Sequence, residues 1–138
     1  MALKEFDLVA NRVSRTLDTG VQIDMSTRPC KEYLRRHLNK KIEIIVLYVD
    51  IDGSTKMSMT LPPSKFALIL QLFSQEMSLV IADYGGYTLK YVGDAVIALF
   101  PAGYDLEKAS INAISCARKM LAVLDMCINP ALIAHSLP

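Results

Sequence analysis

The sequence predicts an α+β domain of ferredoxin-like layout, βαββα(β), preceded by a helical extension. Three observations carry this. Residues 42–50 (IEIIVLYVD) form one dense β-branched run, and two long helical apolar stripes lie within residues 62–84 and 105–129. Between the stripes stand two short strand-like runs around Val92-Gly93-Asp94. In chain order this is β-α-β-β-α, which stops one strand short of the βαββαβ unit. With 138 residues there is room for one domain, and 52% apolar against 21% charged residues gives it a core to bury.

Residues 1–41 read as an N-terminal extension or linker, mostly helical, and residues 42–138 as the domain proper. Leu3, Phe6, Val9, Val13 and Leu17 recur at steps of three and four, predicting a helix over 3–17 that Thr19 and Gly20 stop. Val21, Ile23 and Met25 alternate, predicting a short strand over 21–25. Ser26 or Thr27 before Arg28-Pro29 suits a helix start, and 29–39 reads as a basic amphipathic helix. Six of the fifteen basic residues crowd into 28–41, which reads as a solvated helix face.

The 42–50 run has the length and composition of a central buried strand. Asp52-Gly53-Ser54-Thr55 then ends it as a tight loop. Pro62, Pro63 and Ser64 open a long helix with Phe66, Leu70, Phe73, Met77 and Val80 on one stripe, closed by Gly85-Gly86. Residues 87–91 and 95–100 make a hairpin, and Pro101 and Gly103 break it. Asp105 caps a second long helix whose apolar face is Leu106, Ala109, Ala113, Cys116, Met120 and Leu124, and Pro130 is expected to end it.

Fifteen basic and fourteen acidic residues leave a net charge of +1, so no global field draws the chain to nucleic acid or to a membrane. The longest wholly apolar stretches fall far short of the ~20 residues of a spanning helix, so no membrane segment is expected. The start, MALKEFDLVANR, lacks the apolar run of a secretory signal. Cys30, Cys116 and Cys127 are an odd count without CxxC spacing, against a disulfide framework or a structural zinc site. The chain reads as soluble, reduced and cytoplasmic.

Two carboxylates belong together. Asp50 ends the most apolar strand, where a charge needs solvent or a cation. Asp94 stands at the hairpin tip. If the strands are neighbours, both project from one sheet edge, within the ~6 Å over which charges couple. Mg²⁺ or Mn²⁺, hard cations that take oxygen ligands, would relieve their repulsion. Taken singly, each also reads as an ordinary strand-end or turn aspartate.

IVLYVDIDGST (45–55) followed by KYVGDAVIALF (90–100) resembles the catalytic domain of class III adenylate/guanylate cyclases. The family pattern is a hydrophobic strand into D-I-x-G-[FS]-T, then K-x-x-G-D-x-x-x-x-x-F. Asp50, Ile51, Gly53, Ser54, Thr55, Lys90, Gly93, Asp94 and Phe100 match it, and the 44-residue spacing of the two acids suits it. The likeness covers 41–129, about two-thirds of the chain. It implies two metal ions (Mg²⁺ or Mn²⁺) held by Asp50, Asp94 and the Ile51 carbonyl, and phosphate oxygens on backbone N–H groups of Asp52, Gly53, Ser54 and Thr55. It implies that Lys90 reads the purine, pointing to ATP over GTP, although a solvent-facing strand lysine would look the same.

The family's second purine-reading residue and its transition-state Asn and Arg lie beyond the second helix, and residues 131–138 hold neither Arg nor Asn. The resemblance therefore implies a partial nucleotidyl cyclase domain over 42–138, with the metal and phosphate half of the site and no turnover by itself. Three alternatives stay open: a catalytically inactive cyclase-like module that binds nucleotide or dimerises, a GGDEF-type diguanylate cyclase, and a haloacid-dehalogenase-type phosphatase. The last shares the D-x-D-G-[ST] opening at Asp50, Asp52 and Gly53 but needs a late G-D-x-x-x-D, whereas position 98 is Ala. The layout also predicts an unpaired edge on the 42–50 strand. Residues 21–25, residues 131–138 or a second copy would cover it, and the second copy, a homodimer or other oligomer, is favoured.

Overall fold

The computed structural model describes residues 2–20, 25–103 and 105–135. Two helices come first, α1 (Ala2–Thr19) and α2 (Arg28–Arg36), then strand β1 (Ile44–Asp50). A short helix α3 (Ser54–Thr60) and a long helix α4 (Pro63–Asp83) lead to the hairpin β2 (Tyr87–Val92) and β3 (Ala95–Pro101). Helix α5 (Leu106–Val123) runs through a π-helical turn (Leu124–Ile128) into α6 (Asn129–Ala134). The three strands form one antiparallel sheet in the order β1-β3-β2, with α4 and α5 packed against it. One hairpin between helices leaves none of the further α/β units that the phosphatase reading requires.

The expected elements appear where the patterns place them, with four differences. First, among the described residues β3 is the central strand, and β1, which keeps the expected open edge, is not buried on both faces. Val96, Ala98 and Phe100 of β3 are buried in the core, whereas Val46 and Tyr48 of β1 are 57% and 58% exposed. The β-branched density of β1 thus serves a strand covered on one face only. Second, Ser54 and Thr55 are not loop residues: the turn at Asp52-Gly53 feeds directly into α3. Third, Pro130 does not stop the chain's helix. It lacks an N–H to donate and its ring would meet the carbonyl one turn back. The backbone widens into the π turn just before it, and Pro130 sits in the first turn of α6. Residues 131–134 are therefore helical and cannot add to β1 as a strand. Fourth, α2 ends at Arg36, three residues before the expected Asn39, which takes a positive φ of 63°. The strand expected over 21–25 falls almost wholly outside the described residues.

One core joins all these elements. Val9, Val13 and Leu17 of α1 meet Ile69, Phe73 and Met77 of α4, Cys116 and Met120 of α5, and Ile128 of the π turn. Helix α4 is long and apolar enough to cross a membrane by length and composition, and here half of that window is buried in the fold. Gly86 is required by packing: a Cβ there would lie 2.8 Å from the Phe100 ring. The three cysteines are free and buried. Burial, with the nearby Asp83 charge, pushes the Cys116 thiol up to about 11.

Helix α1 is also tied to α4 by a polar contact that neither apolar stripe announces. Glu76 is 1% exposed, and Arg12 donates from Nε to its Oε2 at 2.9 Å and from Nη2 to its Oε1 at 2.5 Å. The Gln75 amide donates to both Glu76 Oε2 and Thr16 Oγ1 at 2.9 Å. Removing one partner of such a pair strands a buried charge, whereas removing both costs little. Arg12→Leu should destabilise the fold by about 3 kcal/mol, the low end of the range because Arg12 is partly exposed. The double variant Arg12→Leu/Glu76→Leu should recover most of that loss, as read by urea unfolding. A single variant as stable as wild type would contradict the role given to this pair.

Candidate active site

The site begins with strand pairing. The β1–β3 register sets Asp50 opposite Ala95, the residue after Asp94, and the Ile51 N–H donates to the Asp94 carbonyl at 3.1 Å. The last residue of β1 and the tip of the hairpin therefore share one sheet edge. Gly53 then turns the chain at φ 77°, in the left-handed region that other residues enter at a cost of ~1–2 kcal/mol. That turn starts α3 with Ser54 facing back toward the hairpin, and the Ser54 hydroxyl donates to Asp94 Oδ2.

This hydrogen bond is the main reason the Asp94 carboxyl is held below its ordinary range. Partial burial opposes the effect, while its own backbone N–H and the Asp50 side chain add to it. The backbone pairing thus sets the two carboxyl groups at the same sheet edge, where a shared cation could lie between them. None of the ion pairs among the described residues involves either of them. No group of three or more His, Cys, Asp or Glu side chains among the described residues forms a metal cage. The oxygens at hand, two carboxylates and the adjoining backbone carbonyl, fit a hard divalent cation that keeps water or substrate oxygens in its remaining positions.

The structure does not gather every residue the sequence singles out. Asp52 and Thr55 are exposed, and Asp52 lines a cavity of about 520 Å³ with Asp50 and Ile51. The cavity's floor is apolar, from Ile69 and Phe73 of α4 and Leu124 and Ile128 of the π turn. Asp125 and Asn129 also line it, and no lysine or arginine does. Lys90 stands apart from the cavity. It is exposed on β2 opposite Ile97, which pairs across the sheet with Tyr48, two residues from Asp50. Neither the Ser54 side-chain contact nor the place of Asp125 is signalled by the residue pattern, since both depend on where α3 and the π turn run.

No protein-family model matches the chain. A uridylate cyclase of Burkholderia cepacia is 37% identical over 108 residues, 75% of this chain and 45% of that protein. A cytidylate cyclase of Escherichia coli is 28% identical over 92 residues, 63% of this chain and 20% of that protein. An adenylate cyclase of Anabaena cylindrica is 38% identical over 58 residues, 42% of this chain and 12% of that protein. The crystal structure of the guanylyl cyclase Cya2 superposes with a TM-score of 0.62 at 26% identity, over 69% of this chain and 48% of that one. These similarities support a class III nucleotidyl cyclase domain in this chain. The chain spans less than half the length of each of these relatives.

The β1–β3 register brings the two acids of the double motif to one sheet edge, and the left-handed turn at Gly53 starts the helix from which Ser54 reaches Asp94. Gly53→Ala has open space for its methyl group but must adopt the left-handed conformation. The expected cost is about 1 kcal/mol of unfolding free energy in a denaturant titration. Unchanged stability would show that the turn is not held in that conformation.

Proposed function

We propose that this chain carries the metal and phosphate half of a cyclase site that converts ATP to cyclic AMP and pyrophosphate. The observation that carries the reading is the meeting of the Asp50 strand end and the Asp94 hairpin tip on one sheet edge. Asp50, Asp94 and the Ile51 carbonyl would hold Mg²⁺ or Mn²⁺, two ions by the family's pattern. When bound, the metal neutralises triphosphate charge and acidifies the ribose 3′-hydroxyl. The chain's own share is positional. The Asp50 and Asp94 carboxylates fix where the charge sits, and backbone N–H groups of Asp52, Gly53, Ser54 and Thr55 would face phosphate oxygens. Lys90, exposed and near the Asp50 end of the sheet, would reach the base as a donor, which suits adenine N1 or N3 as acceptor.

The cavity lining supplies no cation for the charge that develops on the transferring phosphoryl group. A missing donor of this kind commonly costs about 10²–10³ in rate. The 138-residue chain by itself is therefore expected to bind nucleotide weakly and to form no measurable cyclic nucleotide. A second reading, a pyrimidine nucleotide as substrate, draws support from the two relatives that align over most of this chain, a uridylate and a cytidylate cyclase. The cytoplasm is the proposed location, supported by three free, buried thiols that suit a reducing compartment.

Competition among ATP, GTP, CTP and UTP in the presence of Mn²⁺, followed by calorimetry, separates these readings. The reading expects ATP to bind best, Asp50→Asn and Asp94→Asn to abolish metal-dependent binding, and Lys90→Glu to erode the preference roughly tenfold. Tighter binding of CTP or UTP removes Lys90 as an adenine reader. Nucleotide binding that ignores both aspartates removes the site.

We also propose a second copy as partner at the free edge of β1. Among the described residues this edge is unpaired, and no proline, bulge or charge interrupts residues 44–49. Val46, Leu47, Ala113 and Ile114 line a groove of about 300 Å³ beside it. Antiparallel pairing centred on Leu47 sets Val46 of each protomer against Tyr48 of its partner, a favourable β-branched–aromatic pair. It also brings the basic entry to the strand, Lys40 and Lys41, near the acidic exit, Asp50 and Asp52. Light scattering should find a dimer that Val46→Lys converts to monomer. A wild-type monomer at high protein concentration overturns this pairing.

A further inference from the structure

We infer that Ser54 is the positioning residue that holds the Asp94 carboxylate in place for a cation shared with Asp50. The inference rests on the metal reading proposed above and goes beyond it, since that reading assigns Ser54 only a backbone N–H.

Asp94 sits next to Gly93 in a two-residue hairpin turn, where a side chain is ordinarily free to change rotamer. The Ile51 N–H fixes its backbone carbonyl but leaves the carboxylate to rotate. The Ser54 hydroxyl supplies the remaining restraint, by donating to Oδ2 across 40 residues of sequence. Two other hydroxyls of α3 behave differently. Ser58 donates to the Thr55 carbonyl at 2.7 Å and Thr60 to the Lys56 carbonyl at 2.9 Å, both local bonds that return to their own helix. Ser54 can reach outward because Gly53 takes the left-handed conformation immediately before it, so that Ser54 begins the helix. One short segment thus presents Asp50, the Ile51 carbonyl and the hydroxyl that restrains Asp94. A carboxylate oxygen that accepts one hydrogen bond keeps acceptor capacity, and its second oxygen is untouched, so the restraint is compatible with metal binding. Partners of this kind around a metal site typically change affinity by about 10–100-fold when removed.

The test uses Mn²⁺ alone as probe, titrated into the 138-residue chain and read by the loss of its free-ion paramagnetic resonance signal. Ser54→Ala should weaken Mn²⁺ binding about tenfold or more, and Ser54→Thr, which keeps the hydroxyl, should restore it. Scalar couplings that report the Asp94 χ1 angle should show one rotamer in the metal-free wild type and averaging in Ser54→Ala. That readout requires no metal and would not respond to a general loss of packing. If Ser54→Ala binds Mn²⁺ like wild type while Asp94→Asn does not bind, the inference is overturned and the metal reading stands. If wild type itself binds no Mn²⁺, the metal reading fails and the inference fails with it.

Discussion

The antiparallel pairing of β1 with β3 is the constraint on which the rest of the molecule depends. Its register brings the end of the first strand to the tip of a hairpin made 44 residues later. The same pairing makes β3 the central strand, buries Val96, Ala98 and Phe100 beneath α4 and α5, and leaves β1 with an open edge. A slip of one residue would carry every β1 side chain to the opposite face and move Asp50 away from the edge it shares with Asp94. Core and site are therefore fixed together. The apolar residues of β1 that select the register also aim the carboxylate.

Two carboxylates on one sheet edge impose an electrostatic cost that the surrounding chain meets only in part. The Ser54 hydroxyl and one backbone N–H stabilise the ionised form of Asp94. Neither supplies positive charge, and the ion pairs of the described residues lie on α1, α2, α4, α5 and the segment after α6. Arg12, whose guanidinium is partly buried, is committed to Glu76. The imbalance at the sheet edge is local and unrelieved. A net charge of +1 conceals it, which is why composition alone says so little about this site.

Much of this was legible in the sequence, for identifiable reasons. Period and punctuation placed α4, the hairpin and the start of α5 because Pro63, Gly85-Gly86, Gly93 and Asp105 act locally; Asp105 does accept the Lys108 N–H as a helix cap. The double motif placed Asp50 and Asp94 together because strand order follows from connection rules. What escaped depended on contacts between distant segments. The open edge of β1 follows from the layout, but the exposure of its Val46 and Tyr48 face is decided by what packs on the sheet, not by its own residues, so a dense β-branched run resembles a strand buried on both faces. Helix α3 is seven residues long, too short for a periodic signal, and its polar STKMSMT resembles a loop. Pro130 was read by its usual effect, yet a π turn absorbed it. The Arg12–Glu76 contact joins residues 64 apart and lies within two otherwise apolar stripes.

The apolar floor under the carboxylates gives the site its remaining character. Ile69, Phe73, Leu124 and Ile128 face the cavity that Asp50 and Asp52 border. Such walls lower the local dielectric, so a charge placed at the rim interacts more strongly with the acids than it would on an open surface. The same walls raise the cost of leaving those acids without a counter-charge. The polar rim is carried by β1 and the turn after it, and the floor by α4 and the π turn. The π turn is itself the consequence of fitting Pro130 into a continuing helix. A backbone irregularity that begins thirty residues after Asp94 thus helps to set the polarity beneath the carboxylate pair, and through α1, which packs on that same turn, the N-terminal helix is in mechanical contact with the floor of the site.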